Sequence, residues 1–303
     1  GLQAVELGQD TDPSTVPAMA DSMLLASNDY EYAINEIRLE EELKDALHHD
    51  DFVLHYQPII DLRNKRLVGF ESLLRWQHTV RGLLFPADFL ATAEASGLIV
   101  PIGARVYRNA CGFLSRLHSS CPGTLKDAEP FVSVNISARD FNNPRFVDDI
   151  ERMTYEAGVD AHRMKLEVTE TTLVDQPKVA AQALSRLRDG GYSLAIDDFG
   201  TGYSSLSYMH KCPFDTLKID RGFVKRIKTC QKSDEIVGSI AALANHLSLA
   251  VVAEGVETEE QEKAITNLDC AYAQGYLYAR PMPEPEAIAF AKNWGEDTTN
   301  HSH

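Results

Sequence analysis

The sequence lacks the marks of several common protein classes, and each absence narrows what the chain can be. It has only five cysteines. None of them stands in Cys-x-x-Cys spacing, which argues against a disulfide framework and against a zinc site. No apolar run approaches the roughly 18 residues of a membrane-spanning helix. The net charge of −16 disfavours a basic surface for nucleic acid polymers. We therefore expect a soluble globule, with no membrane contact by this segment and no nucleic acid polymer as a partner.

The ends of the chain differ in composition from its middle. Residues 1–35 mix small, polar and proline residues without a lasting period, and we interpret them as a linker or N-terminal arm. One domain is predicted over residues 36–295, followed by a disordered tail at 296–303. The first residues lack the basic start of a signal peptide. We expect a cytoplasmic protein, or the cytoplasmic part of a longer membrane-anchored or multidomain protein.

Strand-like runs alternate with helical patterns along most of the chain. Eight strands are predicted, at 52–61, 67–75, 131–137, 165–170, 193–198, 216–220, 250–255 and 272–278. Helices are predicted at 31–49, 86–96, 101–118, 144–157, 177–189, 233–247, 258–268 and 284–294. The turn from Leu62 to Arg66 is too short for a crossover helix, so the first two strands should pair antiparallel. Eight strands with interleaved helices predict an α/β fold, a modified (β/α)8 TIM-type barrel with an antiparallel first strand. The competing open α/β sheet would need a glycine-rich phosphate turn after its first strand, and the sequence has none there.

Two adjacent carboxylates end the fifth predicted strand. Asp197 and Asp198 directly follow the apolar run at 194–196. Neighbouring carboxylates repel each other and are costly to bury, and a divalent cation removes that cost. An isolated pair of this kind is also common as a solvated turn, so the rest of the chain has to decide between the two interpretations.

Other predicted strands end in polar residues of the same kind. They are Glu71, Arg75, Asn135, Glu167, Glu170, Lys218, Asp220, Glu254, Glu257 and Gln274. Each alone could be a strand-edge polar group or a salt-bridge partner. Because the C-terminal ends of barrel strands meet at one rim, we expect these side chains to lie together. Oxygen donors without cysteine or histidine favour Mg²⁺ or Mn²⁺ over zinc. The number of carboxylates suits two ions about 4 Å apart, which activate a water for attack on a phosphodiester.

Ordered motifs extend from about residue 36 to residue 292. They are Glu71-Ser72-Leu73, Asn135, Glu167-Val-Thr-Glu170, Asp197-Asp198-Phe-Gly-Thr-Gly-Tyr-Ser-Ser-Leu206, Lys218-Ile-Asp220, Glu254-Gly-Val-Glu257 and Gln274-Gly-Tyr276. In these motifs the chain resembles the EAL-domain cyclic di-GMP phosphodiesterases. One departure is visible, because the signature Glu-Ala-Leu reads Glu71-Ser72-Leu73. Only the middle residue differs, and it is not a ligand position.

The resemblance implies a role for each matching position. The metal ligands would be Glu71, Asn135, Glu167, Asp197, Asp198 and Glu254, with Asp197 shared between two ions. The catalytic groups would be Glu254 and Lys218, and the sequence does not decide which of them takes the proton. The substrate-binding residues would be Gln57, Leu73, Arg75, Asp198, Glu257 and Gln274. Glu170 would stabilise the loop from Gly200 to Leu206, which in this family couples metal binding to dimer contacts.

The resemblance also implies a reaction, a cofactor and partners. The reaction would be hydrolysis of cyclic di-GMP to linear pGpG by a metal-activated water, in second-messenger signalling. The cofactor would be Mg²⁺ or Mn²⁺, with two ions bound, and the chain would form a homodimer. Two alternatives stay open: a non-catalytic cyclic di-GMP receptor, and a metal-dependent phosphodiesterase with another substrate. Receptor-type relatives typically lose a metal ligand, and here none is lost.

Overall fold

A closed barrel of eight strands organises the structure, a computed structural model that describes residues 34–121, 129–175, 177–200 and 212–300. The strands are β1 (Phe52–Asp61), β2 (Leu67–His78), β3 (Gly82–Leu84), β4 (Phe131–Ile136), β5 (Met164–Thr169), β6 (Ser193–Phe199), β7 (Thr216–Ile219), β8 (Ala250–Ala253), β9 (Tyr272–Ala273) and β10 (Met282–Pro283). The barrel order is β1, β2, β4, β5, β6, β7, β8, β9 and back to β1. From β2 to β9 the neighbours in this ring are parallel, and β1 is antiparallel to both of its neighbours. The predicted barrel with an antiparallel first strand is therefore confirmed.

Helices cover the outside of the barrel. In chain order they are α1 (34–49), α2 (Leu90–Ser96), α3 (Ile99–Ser120), α4 (Phe146–Glu156), α5 (Glu170–Asp175), α6 (Pro177–Asp189), α7 (Arg221–Val224), α8 (Gln231–His246), α9 (Glu259–Asn267) and α10 (Glu284–Asn300). Alternate residues of each strand point outward under these helices or inward to the barrel axis. In β4 the apolar set Val132, Val134 and Ile136 is buried, which leaves the inward face free for polar residues. No helix in the described part of the chain is both long and apolar enough to cross a membrane.

The structure differs from the predicted elements mainly at their ends. The last barrel strand is limited to Tyr272–Ala273 instead of 272–278, and the short strands β3 and β10 were not predicted. Helix α10 includes residues 296–300, which the sequence assigned to a disordered tail. Residues 1–33, most of the predicted N-terminal arm, lie outside the described residues, as do residues 301–303.

The last barrel strand is short because the chain turns tightly against Val256. The Val256 N–H donates to the carbonyl of Gln274 at 3.1 Å, and the Leu277 N–H donates to the carbonyl of Val256 at 3.0 Å. A Cβ atom at Gly275 would overlap the backbone of Val256. Only glycine therefore fits between these two hydrogen bonds, and the turn fixes the position of Gln274 at the end of β9.

Gly275→Ala is expected to lower the free energy of unfolding by about 2–3 kcal/mol, because the new methyl group has to displace backbone. Urea unfolding followed by circular dichroism measures the loss. The matched control is Gly238→Ala in α8, where the new Cβ would lie 3.4 Å from Leu268 Cδ2, an ordinary contact. That variant should be neutral or more stable by about 0.5–1 kcal/mol. Equal stabilities of the two variants would contradict the close approach at Gly275.

Candidate metal centre and active site

Carboxylates from several strands converge at the C-terminal rim of the barrel. One group of oxygens comes from Glu71 of β2, Glu167 of β5 and Asp197 of β6, and these atoms lie within 4.8 Å of one another. A second group, equally close, comes from Asp197, Asp198 and Glu254, the residue after β8. The two groups share Asp197. The donors are all oxygen atoms, which fits hard divalent cations such as Mg²⁺ and Mn²⁺.

An irregularity in β6 allows both adjacent aspartates to take part. Consecutive residues of a regular strand point to opposite faces, so Asp197 and Asp198 would normally diverge. The register of β6 against β7 shifts between Ile196 and Phe199, and Asp198 has a φ of +52°. The Asp198 N–H donates to Asp197 Oδ1 at 2.9 Å. This left-handed conformation is unfavourable for a residue other than glycine, and here it brings the second carboxylate to the first.

Lys218 of β7 lies at the centre of the carboxylates and is buried. Its Nζ is 2.6 Å from Glu254 Oε1, 2.7 Å from Glu167 Oε2, 3.3 Å from Asp197 Oδ1 and 3.5 Å from Glu71 Oε2. Burial alone would lower the pKa of Lys218, but the surrounding carboxylates outweigh burial and raise this pKa well above its usual value. The side chain is therefore held as an ammonium ion.

One ammonium group does not neutralise this many buried acids. Burial raises the pKa of Glu167 to about 8, although Lys218 acts in the opposite direction. Burial also raises the pKa of Glu254 well above its usual value. The pKa of Asp198 is raised by burial and by the charge of Asp197. Such an excess of negative charge is what a divalent cation would offset, so the residues present fit a metal centre.

Two side-chain amides donate to Glu71 and fix its orientation, and a third amide, that of Gln57, contacts one of them. Asn135 Nδ2 donates to Glu71 Oε1 at 3.1 Å, and Gln274 Nε2 donates to Glu71 Oε2 at 2.6 Å. Gln274 Nε2 also donates to Gln57 Oε1 at 2.8 Å. Gln57 can reach this position because the antiparallel β1 places it directly opposite Glu71 in the register. Asn135 turns its NH₂ group to Glu71, so its carbonyl oxygen is the atom that it can offer to a cation.

A pocket of about 430 Å³ opens beside the carboxylates. Its lining includes Asn135, Asp197 and Asp198, and its apolar lining comes from the Ser72–Leu74 segment and from α2 and α3. Leu73, one of the predicted substrate-binding residues, lies in this wall. A pocket lined by both carboxylates and apolar side chains suits a ligand with both polar and aromatic parts.

Arg75 lies near the same rim and is almost fully buried. Its guanidinium carbon is 4.8 Å from the ring centroid of Phe85, and its Nη1 donates to the carbonyl of Leu74 at 2.7 Å. Its buried Nε has no hydrogen-bond partner within the described residues. Burial lowers the pKa of Arg75, while Tyr276 and Glu71 oppose that shift. A guanidinium near this rim is suited to bind an anionic ligand through its charge.

Two further predicted site residues, Glu170 and Glu257, lie outside the two oxygen groups. Glu170 is buried at the start of α5, and its Oε2 accepts a hydrogen bond from the Gly200 N–H at 3.4 Å. The rest of the loop that it was expected to stabilise, from residue 201 onward, lies outside the described residues. Glu257 is exposed just before α9, where its backbone N–H donates to Gln261 Oε1 at 2.7 Å. The carboxylate of Glu257 belongs to neither oxygen group.

The structure also shows contacts that the sequence did not predict. Phe85 holds one face of Arg75, and no local pattern marks it because the contact depends on how the loop after β3 folds back. Ser72, the residue that departs from the signature, donates from Oγ to the carbonyl of Ser133 at 2.7 Å. It therefore ties β2 to β4 beside Glu71, which explains how the hydroxyl is accommodated in a buried position.

A buried aspartate behind the pocket wall should make stability depend on pH. Burial raises the pKa of Asp140 to about 7, although the hydrogen bond from the Ser137 N–H acts in the opposite direction. Between the unfolded value of about 4 and about 7, the folded state keeps a proton that the unfolded state has lost. Stability should therefore fall as the pH rises through this window.

Asp140→Asn removes this dependence and should raise the free energy of unfolding above pH 7 by about 1–3 kcal/mol relative to the parent chain. Near pH 4.5 the two proteins should differ little, because the parent residue is then neutral in the folded state. Urea titrations at several pH values measure the difference, and Asp148→Asn on the exposed surface serves as the control. A difference that does not change with pH would contradict the raised pKa.

Comparisons with known proteins agree with this arrangement. The family model for the EAL domain matches residues 40–281. The cyclic di-GMP phosphodiesterase NbdA of Pseudomonas aeruginosa is 42% identical over 251 residues, which are 83% of this chain and 31% of that protein. The bifunctional diguanylate cyclase/cyclic di-GMP phosphodiesterase MucR of the same organism is 39% identical over 257 residues, 85% of this chain and 37% of that protein. The chain spans about a third of the length of the curated relatives it matches.

A solved structure of an EAL-family protein has a fold similar to that of this chain. The PaMucR phosphodiesterase in complex with c-di-GMP has a TM-score of 0.77 and 39% sequence identity to this chain. The match covers 82% of this chain and 99% of that one. The family model, the curated relatives and the solved structure all cover most of the chain, and this chain belongs to the EAL domain family.

Proposed function

We propose that the chain is a phosphodiesterase dependent on Mg²⁺ or Mn²⁺, which hydrolyses cyclic di-GMP to linear pGpG in bacterial second-messenger signalling. The observation that carries the proposal is the pair of carboxylate groups that share Asp197 beside the buried Lys218. Relatives with the names of cyclic di-GMP phosphodiesterases support the choice of substrate. The complete set of oxygen donors favours an enzyme over a receptor.

Two divalent ions fit the two oxygen groups. Glu71, Asn135, Glu167 and Asp197 would hold the first ion, and Asp197, Asp198 and Glu254 would hold the second. When bound, the ions would lower the pKa of a shared water and offset the charge that develops on the phosphate. The amides around Glu71 orient its carboxylate for this purpose, since ligands that are held by hydrogen bonds need no reorganisation on binding.

Glu254 is the residue that we assign as the general base. The alternative, Lys218, carries a raised pKa because four carboxylates surround it. Its amine therefore stays protonated and cannot accept a further proton. Glu254 offers a carboxylate at the same place, 2.6 Å from Lys218 Nζ, and a carboxylate oxygen can accept the proton of an attacking water. Lys218 would orient the water and stabilise negative charge near it.

The remaining residues are assigned to substrate binding and to the neighbouring loop. Arg75 would bind a substrate phosphate through its guanidinium group, which packs against the ring of Phe85. The other substrate contacts are assigned to Gln57, Leu73, Asp198, Glu257 and Gln274. Glu170 would stabilise the loop that begins at Gly200. A homodimer in the cytoplasm is the assembly that we expect for this activity.

Turnover of cyclic di-GMP by the purified chain tests the proposal. With Mg²⁺ or Mn²⁺ we expect conversion to pGpG, measured by chromatography, and EDTA should abolish it. Cyclic mononucleotides and linear dinucleotides are assayed in parallel, and a preference for one of them would reassign the substrate. Tight binding of cyclic di-GMP without turnover would favour the receptor instead.

Ca²⁺ is expected to inhibit the enzyme and to support a rate at least roughly tenfold lower than Mg²⁺ does. The larger ion prefers a looser coordination shell and lowers the pKa of bound water less. The test is the initial rate with each ion alone and with both ions together. Robust turnover with Ca²⁺ alone would contradict the assignment of a compact two-ion site.

A further inference from the structure

A turn after the last barrel strand carries a second arginine that packs on an aromatic ring. The guanidinium carbon of Arg280 lies 4.1 Å from the ring centroid of Tyr276. The N–H groups of Tyr278 and Ala279 both donate to the carbonyl of Gly275, at 3.1 and 3.2 Å. These hydrogen bonds wind the segment into one helical turn, and side chains four positions apart on such a turn lie on the same side. The backbone of the turn therefore brings Arg280 over Tyr276.

The turn is tied to the side chains that orient Glu71. Gln57 Nε2 donates to the carbonyl of Ala279 at 3.1 Å, and Gln57 Oε1 accepts a hydrogen bond from Gln274 Nε2 at 2.8 Å. Gln274 Nε2 also donates to Glu71 Oε2 at 2.6 Å. This series of hydrogen bonds holds the turn at the rim of the candidate metal centre, and Arg280 is the next residue after it.

Arg280 has surroundings similar to those of Arg75, which is already assigned to a substrate phosphate. Each guanidinium packs on an aromatic ring that is about half exposed, Phe85 at 52% and Tyr276 at 49%. Among the residues that the structure describes, neither arginine has a carboxylate oxygen within 4.0 Å. Both positive charges are therefore available to an anionic ligand at the rim.

This geometry suits an arginine that binds phosphate. A guanidinium that packs over a ring keeps N–H donors at its edge, and two of these donors match two oxygens of a phosphate. The ring also limits the motion of the side chain, so less conformational entropy is lost on binding. Cyclic di-GMP has two phosphates, and only the one that is cleaved has to lie at the metal ions. The other phosphate is left for groups elsewhere at the rim.

We propose that Arg280, supported by Tyr276, binds the phosphate of the cyclic dinucleotide that is not cleaved. The inference rests on the proposed function and adds a specificity-determining residue to its substrate site. Arg280 would contact neither the ions nor the reacting phosphate, so it would strengthen binding without taking part in the chemical step. The site would prefer a ligand with a second phosphate to one that has only the phosphate at the ions.

Four variants separate the charge of Arg280 from its packing. Arg280→Met removes the charge and keeps an unbranched side chain, whereas Arg280→Lys keeps the charge and loses the planar edge of donors. Tyr276→Leu removes the ring that supports the guanidinium, and Tyr276→Phe keeps it. The matched control is Arg63→Met. Arg63 is exposed in the turn between β1 and β2, at the opposite end of the barrel, so its replacement gives the same change in net charge away from the site.

Two ligands that differ in the number of phosphates test the proposal. Binding of cyclic di-GMP in Ca²⁺ is measured by calorimetry, and binding of the linear dinucleotide GpG, which has one phosphate, is measured by competition. Arg280→Met should bind cyclic di-GMP on the order of tenfold more weakly than the parent chain, and its affinity for GpG should change by less than about threefold. Arg280→Lys should recover part of the loss. In turnover with Mn²⁺ the loss should appear in KM and not in kcat.

The variants of Tyr276 test its role as a positioning residue. Tyr276→Leu should lower the affinity for cyclic di-GMP relative to GpG, in the same direction as Arg280→Met. Tyr276→Phe and the control Arg63→Met should both stay within about twofold of the parent chain for both ligands. Equal losses in Tyr276→Leu and Tyr276→Phe would show that the ring does not act by supporting Arg280.

The outcomes separate this inference from the proposed function. Equal weakening of both ligands in Arg280→Met would overturn the assignment to the second phosphate, because a general effect on the pocket would change both affinities. Unchanged binding of cyclic di-GMP in Arg280→Met would also overturn it, while normal turnover by the parent chain would leave the proposed function intact. Absence of cyclic di-GMP binding by the parent chain would overturn the proposed function, and the inference with it.

Discussion

Glu254→Gln should lower kcat for cyclic di-GMP hydrolysis by about 10³-fold or more, while the affinity for the nucleotide stays within a few-fold. The substitution keeps the size of the side chain but removes both the proton acceptor and one carboxylate ligand of the second ion, and general bases alone contribute about 10²–10⁴-fold. Rates are measured with saturating Mn²⁺, and nucleotide binding is measured by calorimetry in Ca²⁺.

The control for this experiment is Glu259→Gln. Glu259 is an exposed glutamate at the start of α9, a few residues further along the chain, and its replacement should leave the rate unchanged. A Glu254→Gln protein with normal turnover would remove Glu254 from the mechanism. A loss of both binding and turnover would point instead to a damaged pocket.

Lys218→Met should lower the free energy of unfolding by about 3–5 kcal/mol when EDTA is present, because it leaves buried carboxylates without their ammonium partner. The remaining acids would then hold protons in the folded state more strongly than in the unfolded state. The loss should therefore grow as the pH rises from about 5 to about 8. Urea unfolding over this pH range measures it.

Mn²⁺ gives this prediction a second readout. A divalent ion supplies positive charge to the same carboxylates, so it should restore part of the stability of Lys218→Met but should not restore turnover. The control is Lys263→Met in α9, where the lysine is exposed and should matter little to stability. A loss below about 1 kcal/mol in EDTA would show that the carboxylates do not depend on Lys218.

The barrel itself could be predicted because its signals are local. The apolar runs of β4 to β8 are short and separated by helical periodicity, and the turn from Leu62 to Arg66 excludes a parallel first pair. The same local reasoning placed Asp197, Glu167 and Glu71 at strand ends. Their meeting at one rim then follows from the geometry of any such barrel.

The parts that were missed depend on contacts between distant segments. β9 stops early because Gly275 passes close to the backbone of Val256. The local pattern of residues 272–278 does not predict this contact. Lys165 of β5 looks like any alternating polar residue of a strand until its hydrogen-bond partner, Thr216 of β7, is known. Asp198 was expected at the site, but the irregular register that brings it there was not predicted.

The position of β1 in the ring determines when the barrel can close during synthesis. β1 hydrogen-bonds to β2 on one side and to β9 on the other, so the Gln274–Gln57 hydrogen bond joins residues 217 positions apart. Contacts of such long sequence separation form slowly and late. During synthesis the ring stays open, with exposed strand edges, until its last segment emerges from the ribosome. Gln274, which donates to Glu71, follows the last strand of the ring, so the hydrogen bonds around Glu71 are complete only at that final stage.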